Sequence, residues 1–218
     1  MQTGRVVIVA NGEVKEPSYY RRLLKPDDYI ICVNGGTGHL FAMGLKPDLV
    51  VGDLDSLQEE HRQILEKSGI GLERHPSEKD KTDLELAIDR AIEMNPPEIV
   101  LFSILGGKRA DHLFANLLLL TLPLKHGIPS RALDESGEAI IIRTKTVIEG
   151  SPGDYLSLFP LSPEVKGIVT EGLKFPLRSE TLHFSTTRGL SNELLTNRAS
   201  IGLDDGLLLI IKTFRSQV

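Results

Sequence analysis

Two carboxylates stand one residue apart at the end of an apolar run in the first half of the chain. Asp53 and Asp55 follow residues 49–51, a run that predicts a buried strand. Such neighbours repel each other unless a cation or hydrogen bonds relieve the repulsion. Because Mg²⁺ takes oxygen ligands from one or two carboxylates together with phosphates, the pair favours a metal site. The alternative is a helix cap by Asp55 or Ser56, which accounts for one residue but not for both aspartates.

A glycine pair follows the apolar run 29–33. Asn34, Gly35 and Gly36 stand where the predicted strand ends. Glycine lets the backbone approach a ligand closely and leaves amide N–H groups to meet phosphate oxygens. A tight turn between a strand and a helix explains the same residues, and the motif taken alone favours the turn.

A second glycine pair, ending in Gly107, follows the last long apolar run of this half. Two cations, the second of them Arg109, come next, and a helical pattern begins directly after them. This order predicts an anion site, in which Arg109 could pair with phosphate in a fork geometry. We expect Asp111 to be the N-cap of the helix. His112 and Asn116 lie four residues apart on one helix face and could contact one ligand, although a lone histidine there is more often an ordinary hydrogen-bonded residue.

Residues 78–83 lead into another predicted helix. Thr82 followed by Glu85 is a capping-box pattern. Asp83 at the helix start is favoured by the helix dipole without any ligand, and Asp80 lies in the same charged loop. A functional role for this segment therefore depends on several such loops meeting at one edge, since ligands of open parallel sheets bind beyond the carboxyl ends of the strands.

The second half offers one compact polar cluster at residues 188–193. It contains Ser191 and Asn192, whose side chains carry both donors and acceptors and can read the edge of a polar heterocycle. A hairpin turn explains the same spacing equally well.

The elements that must position these residues follow from the hydrophobic pattern. Continuous apolar runs are typical of strands covered on both faces, and helical patterns separate them, which predicts an α/β domain with a mostly parallel sheet. The predicted strands are 6–10, 29–33, 49–51 and 99–105, and the predicted helices are 58–68, 83–94 and 111–122.

After residue 133 the pattern changes to short β-rich runs separated by glycine and proline. No long helical pattern occurs there, which favours an all-β sandwich or barrel. We therefore predict two domains, residues 1–133 and residues 134–218.

Composition narrows the classes of function. The 218 residues are 40% hydrophobic and 25% charged, as expected of a folded soluble protein. A formal net charge of -5 argues against a nucleic-acid partner. No Walker A, protein-kinase or dinucleotide motif occurs. No apolar stretch approaches the roughly 20 residues that span a bilayer, and the first apolar run is too short for a signal peptide, so we expect a cytoplasmic protein.

Taken together and in this order, the motifs resemble the thiamin pyrophosphokinase family. The segments that carry the resemblance cover nearly the whole chain: 31–36, 46–56, 80–85, 106–112 with Asn116, 189–193 and 206–210. Each segment alone is weak evidence for the family, whereas the whole set in this order is specific for it.

The resemblance implies an N-terminal α/β nucleotide-binding domain and a C-terminal β-sandwich. It also implies a homodimer with thiamine bound at its interface. ATP as co-substrate and Mg²⁺ are expected at the first domain, with Asp53, Asp55 and Asp83 holding the metal and the triphosphate. Asp80 and Arg109 are expected to line the same pocket. The resemblance places the remaining nucleotide contacts at Asn34, Gly35, Gly36, Thr82, Gly107, Asp111, His112 and Asn116, and the thiamine pyrimidine at Ser191 and Asn192.

The chain departs from the family pattern at two motif positions. Asn34 stands where the family usually has aspartate, so the position brings no negative charge to a metal. Leu190 stands where a small or polar residue is common. The chain also lacks tryptophan, so stacking on thiamine must use another side chain or one from a dimer partner.

The resemblance implies that the hydroxyl of thiamine attacks the β-phosphorus of ATP and that AMP leaves. Such transfer depends on positioning and charge neutralisation, and Asp55 or Asp80 could accept the hydroxyl proton. Two alternatives remain at this point. One is a related pyrophosphokinase that uses another acceptor alcohol, such as a pterin. The other is a ligand-binding protein without catalysis, which the asparagine at position 34 favours.

Overall fold

The computed structural model describes residues 4–53, 59–76 and 78–215. The chain divides into two compact units, one ending at Glu135 and the other beginning at Ser136. None of the helices within the described residues has the length and apolar character needed to cross a membrane.

Strands and helices alternate along the first unit, as the hydrophobic pattern predicts. The elements are β1 (Val6–Val9), α1 (Pro17–Leu23), β2 (Tyr29–Val33), α2 (Gly36–Ala42), β3 (Leu49–Gly52), α3 (Glu59–Ser68), β4 (Gly71–Arg74), α4 (Asp83–Glu93), β5 (Ile99–Phe102), α5 (Ala110–Leu119), α6 (Thr121–Lys125) and β6 (Ser130–Asp134).

The strands of this unit pair in parallel in the order β6-β5-β1-β2-β3-β4. β1, β3 and β5 are buried along their whole length, because apolar side chains fill both of their faces. The strand order reverses at β1, which pairs with β2 on one side and with β5 on the other. In open α/β sheets a reversal of this kind leaves a crevice beyond the carboxyl ends of the two strands.

Of the two predicted helix caps, the cap of α4 is confirmed and the cap of α5 is wrong. The Thr82 hydroxyl accepts the Glu85 N–H at 3.2 Å, so the predicted cap of α4 is present. Asp111 is not the N-cap of α5, because the helix begins at Ala110 with Arg109 at the cap position. The carboxylate of Asp111 accepts hydrogen bonds from the guanidinium of Arg109 instead.

The second unit is β-rich, as predicted, and the elements within its described residues are strands. They are β7 (Gly137–Ile142), β8 (Thr146–Glu149), β9 (Tyr155–Pro160), β10 (Glu164–Glu171), β11 (Arg178–His183), β12 (Asn192–Glu193), β13 (Arg198–Gly202) and β14 (Leu208–Thr213).

Two antiparallel groupings share one apolar cluster in this unit. β12, β9, β14 and β7 lie side by side in one, and β11, β10, β13 and β8 in the other. The cluster takes Ile140 and Leu158 from the first grouping and Ile168 and Ile201 from the second. Removing this apolar surface from water is the main force that holds the unit together.

A buried ion pair joins two neighbouring strands of this unit. Lys212 on β14 is opposite Glu138 on β7, and its Nζ donates to Glu138 Oε2 at 2.9 Å. Both side chains are only 8% exposed. The ammonium also donates to the carbonyl of Glu149. A charge sheltered to this degree depends on its partners, since burial removes its water.

Replacing Lys212 with methionine removes the ammonium that contacts the buried Glu138 carboxylate and the Glu149 carbonyl. We expect a loss of about 3–5 kcal/mol in the free energy of unfolding, measured by urea denaturation. The control is Lys166→Met, which removes a 3.1 Å pair to Glu164 with both side chains about half exposed and should cost less than about 1 kcal/mol. Equal losses in the two variants would contradict this account.

Candidate active site

A cavity of about 570 Å³ opens beyond the carboxyl ends of β1 and β5, where the strand order reverses. Residues at the starts of α4 and α5 complete its wall. Predicted site residues that line it are Asn34, Thr82, Asp83, Gly107, Arg109, His112 and Asn116. The parallel sheet thus brings together loops that are far apart in the sequence.

Other predicted site residues do not line this cavity. Asp80 is exposed, and Asp111 faces Arg109 at the surface. Gly35 and Gly36 instead allow the start of α2 to pack on the first strand: a Cβ on Gly35 would lie 2.3 Å from the Asn11 side chain, and one on Gly36 would lie 2.1 Å from the carbonyl oxygen of Val9. This packing corresponds to the turn interpretation of that motif.

The segment after β1 lines the cavity and was missed by the sequence analysis. It contains Asn11 and Gly12, and Ser103 from the end of β5 lines the cavity beside it. A Cβ on Gly12 would lie 2.0 Å from the carbonyl oxygen of Ser103, so the two segments meet only because position 12 is glycine. Residues 11–13 directly follow the first predicted strand, so the rule that ligands bind beyond the carboxyl ends of parallel strands also applies to them.

Asn34 connects the end of β3 with the start of α4. Its Nδ2 donates to Asp83 Oδ2 at 2.6 Å. A Cβ on Gly52, the last residue of β3, would lie 1.9 Å from Asn34 Oδ1, so the amide packs against the backbone that leads into Asp53. Asn34 has a φ of 45°, a left-handed conformation that asparagine tolerates better than most residues. The amide is therefore held in place by its own backbone and by the neighbouring strand.

Asp83, the first residue of α4, has a second partner in Lys79. The Lys79 ammonium pairs with Asp83 Oδ1, so both oxygens of this carboxylate are occupied by groups of the chain. The side chains of Lys79 and Asp83 are 16% and 18% exposed. Lys79 is thus held in a sheltered ion pair and is not a freely solvated charge of the loop before α4.

The guanidinium of Arg109 also has a partner already. Its Nε donates to Asp111 Oδ1 at 2.8 Å and its Nη2 to Asp111 Oδ2 at 2.5 Å. This two-pronged contact holds the pKa of the Asp111 carboxyl well below its usual range. A phosphate that binds Arg109 in the same fork geometry would have to compete with Asp111.

Asp55 lies outside the described residues. Asp53 lies inside them, directly after β3. Over residues 4–53, 59–76 and 78–215, no group of three or more histidine, cysteine or acidic side chains converges as metal ligands would. Asn34 nevertheless donates to Asp83 and packs against Gly52, the residue before Asp53, at the carboxyl edge of the sheet.

The polar cluster of the second unit is tied into its own fold. Asn192 is buried, and its Oδ1 accepts the N–H groups of Phe175 at 3.0 Å and Glu193 at 2.9 Å. Its Nδ2 donates to the carbonyl oxygen of Phe175 at 2.7 Å. Ser191 is exposed and has a φ of 58°, and its N–H donates to Ser157 Oγ at 3.0 Å. Asn192 thus fixes the backbone of this cluster, while Ser191 faces solvent.

Comparison with known proteins identifies this arrangement. Residues 20–131 match the family profile described as "Thiamin pyrophosphokinase, catalytic domain", and residues 140–208 match "Thiamin pyrophosphokinase, vitamin B1 binding domain". The chain belongs to the thiamin pyrophosphokinase family. Thiamine pyrophosphokinase from Bacillus subtilis (strain 168) is 33% identical over 185 residues, which are 84% of this chain and 86% of the relative.

Solved structures of the family have the same fold. The crystal structure of the Bacillus subtilis thiamine pyrophosphokinase superposes with a TM-score of 0.86 at 31% identity, covering 97% of this chain and 99% of that one. Thiamin pyrophosphokinase from Candida albicans shares the fold at a TM-score of 0.79 and 15% identity, covering 97% and 89% of the two chains.

These matches confirm the family and make the protein a diphosphate-transferring enzyme, as its motifs predict. Because the second half matches the vitamin B1 binding domain, a thiamin pyrophosphokinase is favoured over an enzyme with a pterin acceptor. The α/β and β-rich halves expected of the family are likewise confirmed.

The contacts of Asn34 predict an unusual order of stability at this position. Asn34→Gly removes the bond to Asp83 but keeps the left-handed backbone accessible, whereas Asn34→Ala removes the bond and also strains the backbone. We expect the alanine variant to be less stable than the glycine variant by about 1 kcal/mol. Both should be less stable than the parent, since Asp83 loses a donor. Urea denaturation measures this, and an alanine variant as stable as the glycine variant would contradict it.

Proposed function

We propose that the protein transfers the diphosphate group of ATP to the hydroxyl of thiamine in the cytoplasm, giving thiamine diphosphate and AMP. The observation that supports this most directly is the cavity at the strand reversal. Its lining includes the Asp83 carboxylate at the start of a helix, the turn at Gly107 and the Arg109 cation. These are the groups that positioning and neutralising a polyphosphate require.

ATP is proposed to bind in the first unit, which is then a nucleotide-binding domain. Gly107 has a φ of 111° that favours glycine, and the loop around it exposes backbone to the cavity. Arg109 at the cap position of α5 supplies positive charge beside it. His112 and Asn116 line the same cavity one helical turn apart and could contact the nucleotide.

The side chains at the carboxyl edge of β3 suit a magnesium ion. Asp53 and Asp83 offer carboxylate oxygens, which are the ligands Mg²⁺ prefers, and Asn34 bridges their two segments. We propose that Asp53, Asp55 and Asp83 hold the metal, which would neutralise phosphate charge when bound. Asn34 donates to Asp83 instead of adding a fourth negative charge, so its role is to orient that carboxylate.

In the proposed reaction the thiamine oxygen forms a bond to the β-phosphorus. The bond from that phosphorus to the oxygen bridging the α-phosphate breaks, and AMP leaves with this oxygen. The hydroxyl proton passes to a carboxylate, for which Asp55 and Asp80 are the candidates. Asp80 is exposed in the loop before α4, so solvent can remove the proton from it afterwards.

The second unit is proposed to be a β-sandwich that binds thiamine. Its two antiparallel groupings share one apolar cluster, which supports a sandwich. Ser191 and Asn192 are the proposed contacts of the pyrimidine. The exposed Ser191 is better placed to donate or accept at the ring, because both lone pairs of the Asn192 amide oxygen already accept N–H groups.

A homodimer is proposed with α5 in its interface. None of the residues of α5 is fully buried, although most are apolar. Phe114 and Leu118 are 64% and 38% exposed on it, whereas large apolar side chains normally gain from burial. The same helix carries His112 and Asn116, so a second copy packed here would lie beside the cavity and could complete a thiamine site.

The activity test is AMP formation from ATP and Mg²⁺ with and without thiamine, read alongside thiamine diphosphate. We expect the two products in equal amounts and only when thiamine is present. Asp83→Asn should lower kcat by about 100-fold or more, because it removes charge from the polyphosphate site. The matched control is Asp89→Asn on the same helix, which alters a partly exposed partner of Lys81 outside the cavity lining. ATP binding without thiamine-dependent AMP would instead indicate a binding protein.

The dimer is tested with Phe114→Asp in sedimentation velocity. Burying a charge in an apolar contact should weaken association by about thirtyfold, the size of an interface hot spot. Phe184→Asp is the control, since Phe184 is 60% exposed in the second unit. If Phe114→Asp associates as the parent does, α5 is not the interface.

A further inference from the structure

Asp83 is neutralised by the chain itself. Lys79 contacts one carboxylate oxygen, and Asn34 donates to the other at 2.6 Å. This pair is more sheltered than the neighbouring pair of Lys81 and Glu85, whose side chains are 46% and 27% exposed. A shielded ion pair is weakened less by water and salt, so the Lys79 contact is the stronger of the two.

The same carboxylate faces the cavity and is a proposed metal ligand. A divalent cation cannot bind it with full strength while an ammonium is in contact, because the two positive charges repel each other. The charged ammonium, and not the neutral amide, is therefore the donor of Asp83 that a metal ion would displace.

Lys79 is the donor that can leave. The amide of Asn34 is fixed by its left-handed backbone and by packing against Gly52. Lys79 lies in the loop before α4, outside any helix or strand, and its ammonium is carried on a flexible stem with rotatable donors. A lysine can thus turn from a carboxylate to a phosphate without movement of the sheet.

We propose that Lys79 is an exchangeable cation, which neutralises Asp83 in the ligand-free protein and moves to the polyphosphate when metal and nucleotide bind. This proposal depends on the proposed function for the identity of the polyphosphate. Lys79 then acts twice. It neutralises Asp83 while the site is empty, and it adds positive charge beside the transferred phosphates when the site is filled.

A purely structural role for Lys79 predicts a different result. If the lysine only fastened the start of α4, its loss would leave Asp83 poorly placed, and both metal and nucleotide would bind more weakly. Exchange predicts opposite signs, because removal of the lysine frees Asp83 for metal but takes a cation from the phosphates.

The test compares Lys79→Met and Lys79→Arg with the control Lys81→Met. Lys81 lies two residues after Lys79 in the chain and pairs with Asp89. Mn²⁺ alone, followed by electron paramagnetic resonance, is the first probe. The second is α,β-methylene-ATP with Mg²⁺, followed by calorimetry, since the bond that would break is replaced in this analogue.

We expect Lys79→Met to bind Mn²⁺ alone about tenfold more tightly and the analogue about tenfold more weakly. Lys79→Arg should bind the analogue nearly as the parent does, and Lys81→Met should change neither affinity by more than about twofold. Unchanged or weaker Mn²⁺ binding in Lys79→Met would overturn the resting contact, and unchanged analogue binding would overturn the transfer to phosphate. Neither probe contains thiamine, so failure of thiamine-dependent AMP formation would reject the proposed function separately.

Discussion

The first unit is organised by the reversal of strand order at β1. This strand lies between β2 and β5 in the sheet, although β2 and β5 are distant from each other in the sequence. The segments after β1 and β5 consequently meet at one edge, where Gly12 lies directly against the Ser103 carbonyl. The cavity, the glycine turn and the starts of α4 and α5 all take their positions from this edge.

Charge at this edge is balanced by pairing rather than by exposure alone. Asp83 has an ammonium and an amide as partners, and Asp111 has the guanidinium of Arg109. A carboxylate without a positive or hydrogen-bonding partner would repel other carboxylates and raise the free energy of the folded state. Each pair therefore lowers the repulsion in the empty site. The same pairs compete with a phosphate for the Lys79 ammonium and for part of the Arg109 guanidinium.

The second unit depends on a different principle. Apolar residues from two antiparallel groupings form its core, and a buried amide takes the place of a strand partner for Phe175. The Asn192 amide resembles a peptide group in having one acceptor and a donor, so it can continue the hydrogen bonding of a sheet beyond the strand. This arrangement fixes the loop that carries Ser191 without covering Ser191 itself.

The sequence could predict elements whose residues all favour the same structure. β1, β3 and β5 are continuous apolar runs, and α4 has both a cap and an apolar face, with Leu84 and Ile88 buried. It could not predict β4 or β6 in the same way. Residues 71–74 and 130–134 are largely polar or partly exposed, and they are strands because β3 and β5 offer them hydrogen-bonding partners.

By itself, then, the sequence determined the α/β and β-rich halves and the family, since these depend on local pattern and on the order of motifs. Only the tertiary structure decided how individual charges pair. Asn34 and Asp83 are 49 residues apart, and Lys79 has the same local signature as the exposed Lys81. Asp111 has the local preferences of an N-cap, yet it pairs with Arg109. Hydrophobic periodicity is a local property that can be read from consecutive residues. The partner of a charge, in contrast, depends on which loops the folded sheet brings to one edge.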